Sequence, residues 1–112
     1  MEERRKYPRF KLSHPVLYGS TAEKTESYLE NTTRTEDVSR GGVRMKISPL
    51  IENGKVLTMK IHNPSCDESV EVVARVVWKR GELDDSTLAG LAFMRIGWIE
   101  SDKLLRPEVT TA

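Results

Sequence analysis

The chain has 112 residues, 38% of them hydrophobic and 31% charged, with a formal net charge of +1 at pH 7. That length supports one hydrophobic core and is too short for two, and the apolar share is too high for a wholly disordered chain. The one cysteine, Cys66, excludes an internal disulfide and a cysteine-based metal cage.

Residues 1–11 read as a flexible basic arm. Arg4, Arg5, Lys6, Arg9 and Lys11 outweigh Glu2 and Glu3 there, giving +3 and leaving −2 for the remainder. Positive charge gathered at one end of a slightly acidic body points to a local anionic ligand rather than a general polyanion. Pro8 disfavours helical geometry at Tyr7, so the arm is expected to be extended, with Arg5, Tyr7 and Arg9 projecting to one side. Arg5 and Arg9 would then lie about 13 Å apart along the chain, a span that can straddle a ligand with more than one phosphate. The guanidinium fork suits phosphate and also the O6 and N7 acceptors of guanine. Taken alone, the same stretch reads by default as a solvated tail.

Residues 12–107 carry a period-two pattern. A first strand is expected at Val16–Gly19. The polar segment 21–36 reads as an exposed loop leading into a strand within Tyr28–Asp37. Val43, Met45 and Ile47 alternate with Arg44 and Lys46, and Leu57, Met59 and Ile61 with Thr58 and Lys60. Val70, Val72, Ala74, Val76 and Trp78 share one face of a longer strand, and a last strand is expected at Leu88–Ile96. On this pattern Arg44 and Arg75 face solvent, while Trp78 and Phe93 belong to the core. Turn chemistry at Arg40-Gly41-Gly42, Asn53-Gly54, Asn63-Pro64-Ser65 and Arg80-Gly81 links the strands. A short helix over Ile99–Leu105 ends before Pro107, and residues 108–112 read as a frayed tail. Trp98 could pack that helix on the body or line a ligand. Short strands with no long helical pattern between them make an all-β fold, an antiparallel barrel or sandwich.

Asp37-Val-Ser-Arg-Gly-Gly42 is the second chemical feature. Asp37 and Ser39 lie two apart and share a side of an extended chain. Gly41 and Gly42 permit positive φ and a close approach of ligand to backbone, and N–H groups in such a turn can form an anion nest. The Asp37 carboxylate would repel phosphate, so its natural target is a donor edge such as N1–H and N2–H₂ of guanine. The competing reading is a strand-ending turn in which Asp37 and Ser39 bond local backbone. Arm and turn together describe a guanine nucleotide with two phosphates.

Arg5-Lys-Tyr-Pro-Arg9 followed by Asp37-Val-Ser39-Arg-Gly-Gly42 resembles the two-part signature of PilZ domains, RxxxR and then [D/N]xSxxG. The "VEVVARVVW" strand and the late "GLAF" segment, Gly90–Phe93, are similar to that family as well. The resemblance implies a six-stranded antiparallel β-barrel with a short C-terminal helix that binds cyclic di-GMP, the arm folding over the ligand. By the family pattern Arg5 and Arg9 hold phosphates and guanine, Asp37 and Ser39 bond guanine and nearby phosphate, and Gly41 and Gly42 shape the turn. Arg4 is an extra contact that could favour an intercalated ligand dimer. The output would pass to an unidentified protein partner in motility, biofilm or exopolysaccharide control. The helix is shorter than many in the family.

Two alternatives stand beside this reading: a small barrel binding single-stranded nucleic acid, and a ligand-independent adaptor of the same fold. The near-neutral body and an aromatic share of 6% count against nucleic acid. Catalysis and a metal or other cofactor are not expected, because Asp37 and Ser39 lack a visible base and His14 and His62 lack spaced partners. No apolar run approaches a membrane span and no leader pattern follows the charged start, so a cytoplasmic protein without membrane insertion is expected.

Overall fold

Strict alternation over β-branched and long aliphatic residues forces one face of each strand out of water, and six such strands close on themselves. The computed structural model describes residues 8–20 and 31–105. Its strands are β1 (Pro15–Ser20), β2 (Asn31–Val38), β3 (Gly42–Ile47), β4 (Val56–Asn63), β5 (Glu68–Gly81) and β6 (Thr87–Arg95), followed by helix α1 (Trp98–Leu105). They form a closed antiparallel barrel in the order β1-β2-β3-β6-β5-β4, with β1 also pairing β4. Closure leaves no free sheet edge. The six-stranded barrel and its short terminal helix are those the sequence implied, and each expected strand lies within a residue or a few of its observed bounds. The expected arm residues 1–7, the loop at 21–30 and the tail from 106 onward lie outside the described residues.

The barrel interior is filled by the alternating positions. Val38, Met45, Met59, Ile61 and Ala74 are completely buried, with Val16, Leu57 and Val76 almost so. Burying each of the larger side chains removes enough apolar surface to contribute about 1.5–3 kcal/mol. Arg75, between Ala74 and Val76, is exposed as its phase requires, and Phe93 packs partly buried against the core.

Helix α1 packs on β4 and β5 and sends Leu104 into the core. Gly97 precedes it, Glu100 sits in its first turn and Lys103 in its last, favourable signs for the helix dipole. Its terminal carbonyls are capped by the barrel. Asn63 Nδ2 donates to Lys103 C=O at 2.7 Å, and His14 Nε2 lies 2.8 Å from Leu104 C=O. Facing a carbonyl, that nitrogen must carry the proton.

Three register shifts interrupt the pairing of the described strands; one lies between Val73 and Ala74, opposite Met94 of β6, and the other two shape the outer wall. In β2, Thr35 pairs Met45 and Asp37 pairs Arg44, so Glu36 is the extra residue. In β5, Val76 pairs Leu91 and Trp78 pairs Gly90, so Val77 is the extra residue. A bulge swings the residues beyond it to the other face. Both fall where the outer wall of the barrel becomes a pocket.

Candidate functional site

Four paired residues form a row across the outer wall. Asp37 pairs Arg44 across β2–β3, Arg44 pairs Gly90 across β3–β6, and Gly90 pairs Trp78 across β6–β5. Directly paired residues of antiparallel strands share a face. The row is therefore one surface, and the two bulges are what bring Asp37 and Trp78 onto it.

A pocket of about 310 Å³ opens over this row. Arg9, Asp37, Ser39, Gly41, Gly42, Arg44 and Trp78 line it, with Val77, Leu91 and Ala92 as its apolar wall. Arg9 arrives from the arm because Phe10 bridges Val38, with N–H to C=O distances of 2.9 Å in both directions. The structure thus brings five residues singled out in the sequence, Arg9, Asp37, Ser39, Gly41 and Gly42, around one cavity. Arg4 and Arg5 lie outside the described residues.

Asp37 is buried, its side chain 5% exposed, and is held by Arg44. Arg44 Nε donates to Asp37 Oδ2 at 2.5 Å, and Arg44 Nη2 contacts the same oxygen. Arg44 was expected to face solvent as the polar phase of β3. That phase is instead the floor of the pocket, and a buried carboxylate needs a partner of opposite charge. The pair also removes the difficulty of placing a carboxylate in an anion site, because Arg44 neutralises it.

Ser39 is engaged locally. The N–H groups of Gly41 and Gly42 donate to Ser39 Oγ at 3.1 and 3.2 Å, and Ser39 N–H donates to Gly42 C=O at 2.8 Å. The expected positive φ is not what demands glycine at 42, which is outside the left-handed region. A Cβ on Gly42 would fall 2.1 Å from Leu91 O, so glycine there allows β3 to meet β6. Among the described glycines, positive φ occurs at Gly54, 87°, in the Asn53-Gly54 turn.

Trp78 corrects a second expectation. Its phase with Val70–Val76 assigned it to the core, but the bulge at Val77 turns it onto the pocket, half-buried. The indole crosses Gly90 so closely that a Cβ there would meet Trp78 Nε1 at 2.2 Å. Arg80 stands 5.8 Å over the ring centroid, in cation–π range. The Trp98 side chain lies outside what the structure describes. The signal that could have revealed Trp78, and with it the paired Gly90, is the doubled apolar pair Val76-Val77 in β5, which one register cannot bury. His62, away from the pocket, bonds Ser69 and faces Asp67, and no His, Cys, Asp and Glu cluster among the described residues could hold a metal ion.

The site is an arginine-bearing pocket on a closed antiparallel barrel, bounded by an arm stem and a glycine turn. Known sequences and structures share this architecture. The PilZ domain profile matches residues 3–106, and the chain belongs to the PilZ domain family. No curated protein sequence matches it. Among solved structures it is similar to the Bacillus subtilis inhibitor of motility MotI/DgrA, with 20% identity, a TM-score of 0.75, and 93% of this chain and 48% of that one covered. It is also similar to YcgR from Escherichia coli in complex with c-di-GMP, with 13% identity, a TM-score of 0.70, and 91% and 43% covered. The K. pneumonia MrkH–c-di-GMP complex gives 13% identity, a TM-score of 0.61, and 91% and 49% covered. The chain spans about half the length of these proteins, and at such identities the likeness establishes the fold.

Proposed function

We propose that this chain is a cyclic di-GMP receptor, and that the ligand closes the arm onto the outer wall of the barrel. The observation that carries the reading is one pocket lined by Arg9 from the arm and by Asp37, Ser39 and Gly42 from the turn, separated by almost thirty residues of sequence. Family membership and neighbours solved with c-di-GMP support the choice of ligand.

In this reading Arg5 and Arg9 take phosphate and the O6 and N7 edge of guanine. Both Arg44 contacts fall on Asp37 Oδ2, which leaves Oδ1 to accept from guanine N1–H or N2–H₂. Trp78 offers its face to a base, where stacking contributes about 1–3 kcal/mol. Gly41 and Gly42 let the phosphodiester approach the backbone, with Ser39 exchanging a turn bond for a ligand bond. Arg4 adds a contact that would favour an intercalated ligand dimer. Residues 1–11 act as the arm, 12–107 as the barrel and 108–112 as a tail. The ordered arm and covered wall form the surface a partner protein reads, in motility, biofilm or exopolysaccharide control of a bacterium. The protein acts in the cytoplasm as a receptor and not an enzyme.

The ligand-independent adaptor stands as a second reading because of one observation: Asp37 and Ser39 already have intramolecular partners. Calorimetric titration with cyclic di-GMP, against GMP as control, separates the two. The receptor reading expects saturable heat with cyclic di-GMP, and at least tenfold weaker binding for each of Arg5→Ala, Arg9→Ala and Asp37→Ala, in line with about 1.5–3 kcal/mol per charged hydrogen bond. No heat with the intact protein would leave the adaptor.

A further inference from the structure

The residue between the two halves of the turn does not face the pocket. Ser39, Gly41 and Gly42 line the cavity, while Arg40 reaches away to helix α1. Its Nη1 donates to Ser101 Oγ at 2.8 Å, and its Nη2 lies 3.4 Å from Asp102 Oδ1. Ser101 is buried, 3% exposed, and the first of these bonds is part-buried. The remaining anchors of α1 described above, His14 and Asn63, hold its C-terminal carbonyls and lie on other elements.

We propose that Arg40 is the positioning residue through which occupancy of the pocket changes the seating of α1. The proposal rests on the receptor reading given above. A ligand that accepts from the N–H groups of Gly41 or Gly42 competes with Ser39 Oγ for them. The turn is tied to β6 by Phe93 N–H donating to Gly41 C=O at 2.8 Å, so it adjusts by rotating about that tie rather than by drifting free. Arg40 is the residue spanning the rotating peptides, and its guanidinium converts that rotation into a pull on Ser101. Coupling of this kind is reciprocal: whatever engages the outer side of α1, where Ile99 is 69% exposed beside Glu100 and Asp102, alters ligand affinity by the same factor. The fold thereby offers α1 as a second surface for output, distinct from the arm.

Hydrogen exchange on the full chain, with cyclic di-GMP and with GMP as control, tests the coupling. In the intact protein, saturating cyclic di-GMP is expected to change exchange at residues 39–42 and, by about fivefold or more, at residues 101–105. Arg40→Met and Ser101→Ala should keep the response at the turn and lose it at the helix. Arg40→Lys, which retains a donor toward Ser101, should recover part of it. Ser101→Ala removes one hydroxyl and keeps the test usable if Arg40→Met does not fold. A simple structural brace would lower helix protection equally with and without ligand, and that result overturns the proposal. So does a turn response in the intact protein with no helix response, which leaves the receptor reading standing. Silence at both places overturns the receptor reading and this proposal together.

Discussion

The pocket and the seat of α1 solve opposite problems with similar residues. At the seat, Asn63 is fully buried, with Nδ2 on Lys103 C=O and Oδ1 accepting from Ser65 N–H at 3.0 Å. Thr35 Oγ1 takes the His14 N–H at 2.8 Å and donates to Leu12 C=O. Nearly every polar group there is paired within the chain, which is what low dielectric requires. In the pocket, cationic groups line an open cavity, and one carboxylate oxygen accepts both contacts of its partner. A saturated cluster stabilises a fold, whereas one with hydrogen-bonding capacity left over can hold a ligand.

The largest expected effect breaks the saturated side. Asn63→Ala removes the bonds to Lys103 C=O and from Ser65 N–H. It leaves the carbonyl with the weak Cys66 Sγ donor at 3.8 Å and the amide without its acceptor, at roughly 1–3 kcal/mol for each buried group losing its partner. We expect a loss of about 3 kcal/mol in urea unfolding. Cyclic di-GMP affinity of the folded fraction should change far less than in the pocket variants. The converse variant is Arg9→Ala. Arg9 is exposed, so stability should hold within about 0.5 kcal/mol while affinity falls tenfold or more by calorimetry. If Arg9→Ala unfolds the protein as readily as Asn63→Ala, the distinction between the two regions fails.

The two regions were also unequally legible in the sequence. The strands and their inward faces followed from alternation, because Met45, Met59, Ile61 and Ala74 each sit two residues from another inward position and burial decides their phase. Alternation left barrel and sandwich open until the family resemblance chose the barrel. The turn and the arm were legible as chemistry, since Asp37, Ser39 and Gly42 together with Arg9 require no register to be recognised. Arg44 and Trp78 were not legible. Arg44 keeps its outward phase, but the extra residue Glu36 turns Asp37 to face it and the extra residue Val77 turns Trp78 outward, and a bulge reverses phase while leaving composition unchanged. The role of His14 was hidden for another reason: its acceptor, Leu104 C=O, is ninety residues away and is main chain.

A third substitution sharpens the pocket side. Gly90→Ala places a methyl where the Trp78 indole lies, so the ring must leave the wall or the strands must part. Overpacking of this kind costs about 1–3 kcal/mol, and displacement of the ring should weaken cyclic di-GMP binding about fivefold. Trp78→Ala should weaken binding by a similar factor without the overpacking cost. If Gly90→Ala binds as the intact protein does, the indole contributes nothing to the ligand.

The smallest effect is a protonation at the seat. Burial pushes the His14 imidazole below its ordinary value of 6.5, the bond to Leu104 C=O opposes this, and the charges of Arg34 and His62 add to the lowering. With Nε2–H committed to that carbonyl, the buried Nδ1 has no hydrogen-bond partner, so a proton placed there would be unsatisfied. A pKa lower in the folded than in the unfolded chain means that the unfolded chain binds the proton first. The stabilisation is therefore complete above about pH 6.5 and declines as pH falls below it, until the folded protein also protonates. One group gives at most about 1.4 kcal/mol per pH unit in that window. Urea midpoints between pH 7.5 and 5 should fall for the intact protein and stay flatter for His14→Gln, whose amide can still donate to Leu104 C=O. Asp84 is held low by its bonds to Ser86 and Lys46, so any loss it contributes belongs to more acid pH and does not overlap. Parallel curves for the two proteins would mean that His14 is not the group whose protonation lowers stability in this window.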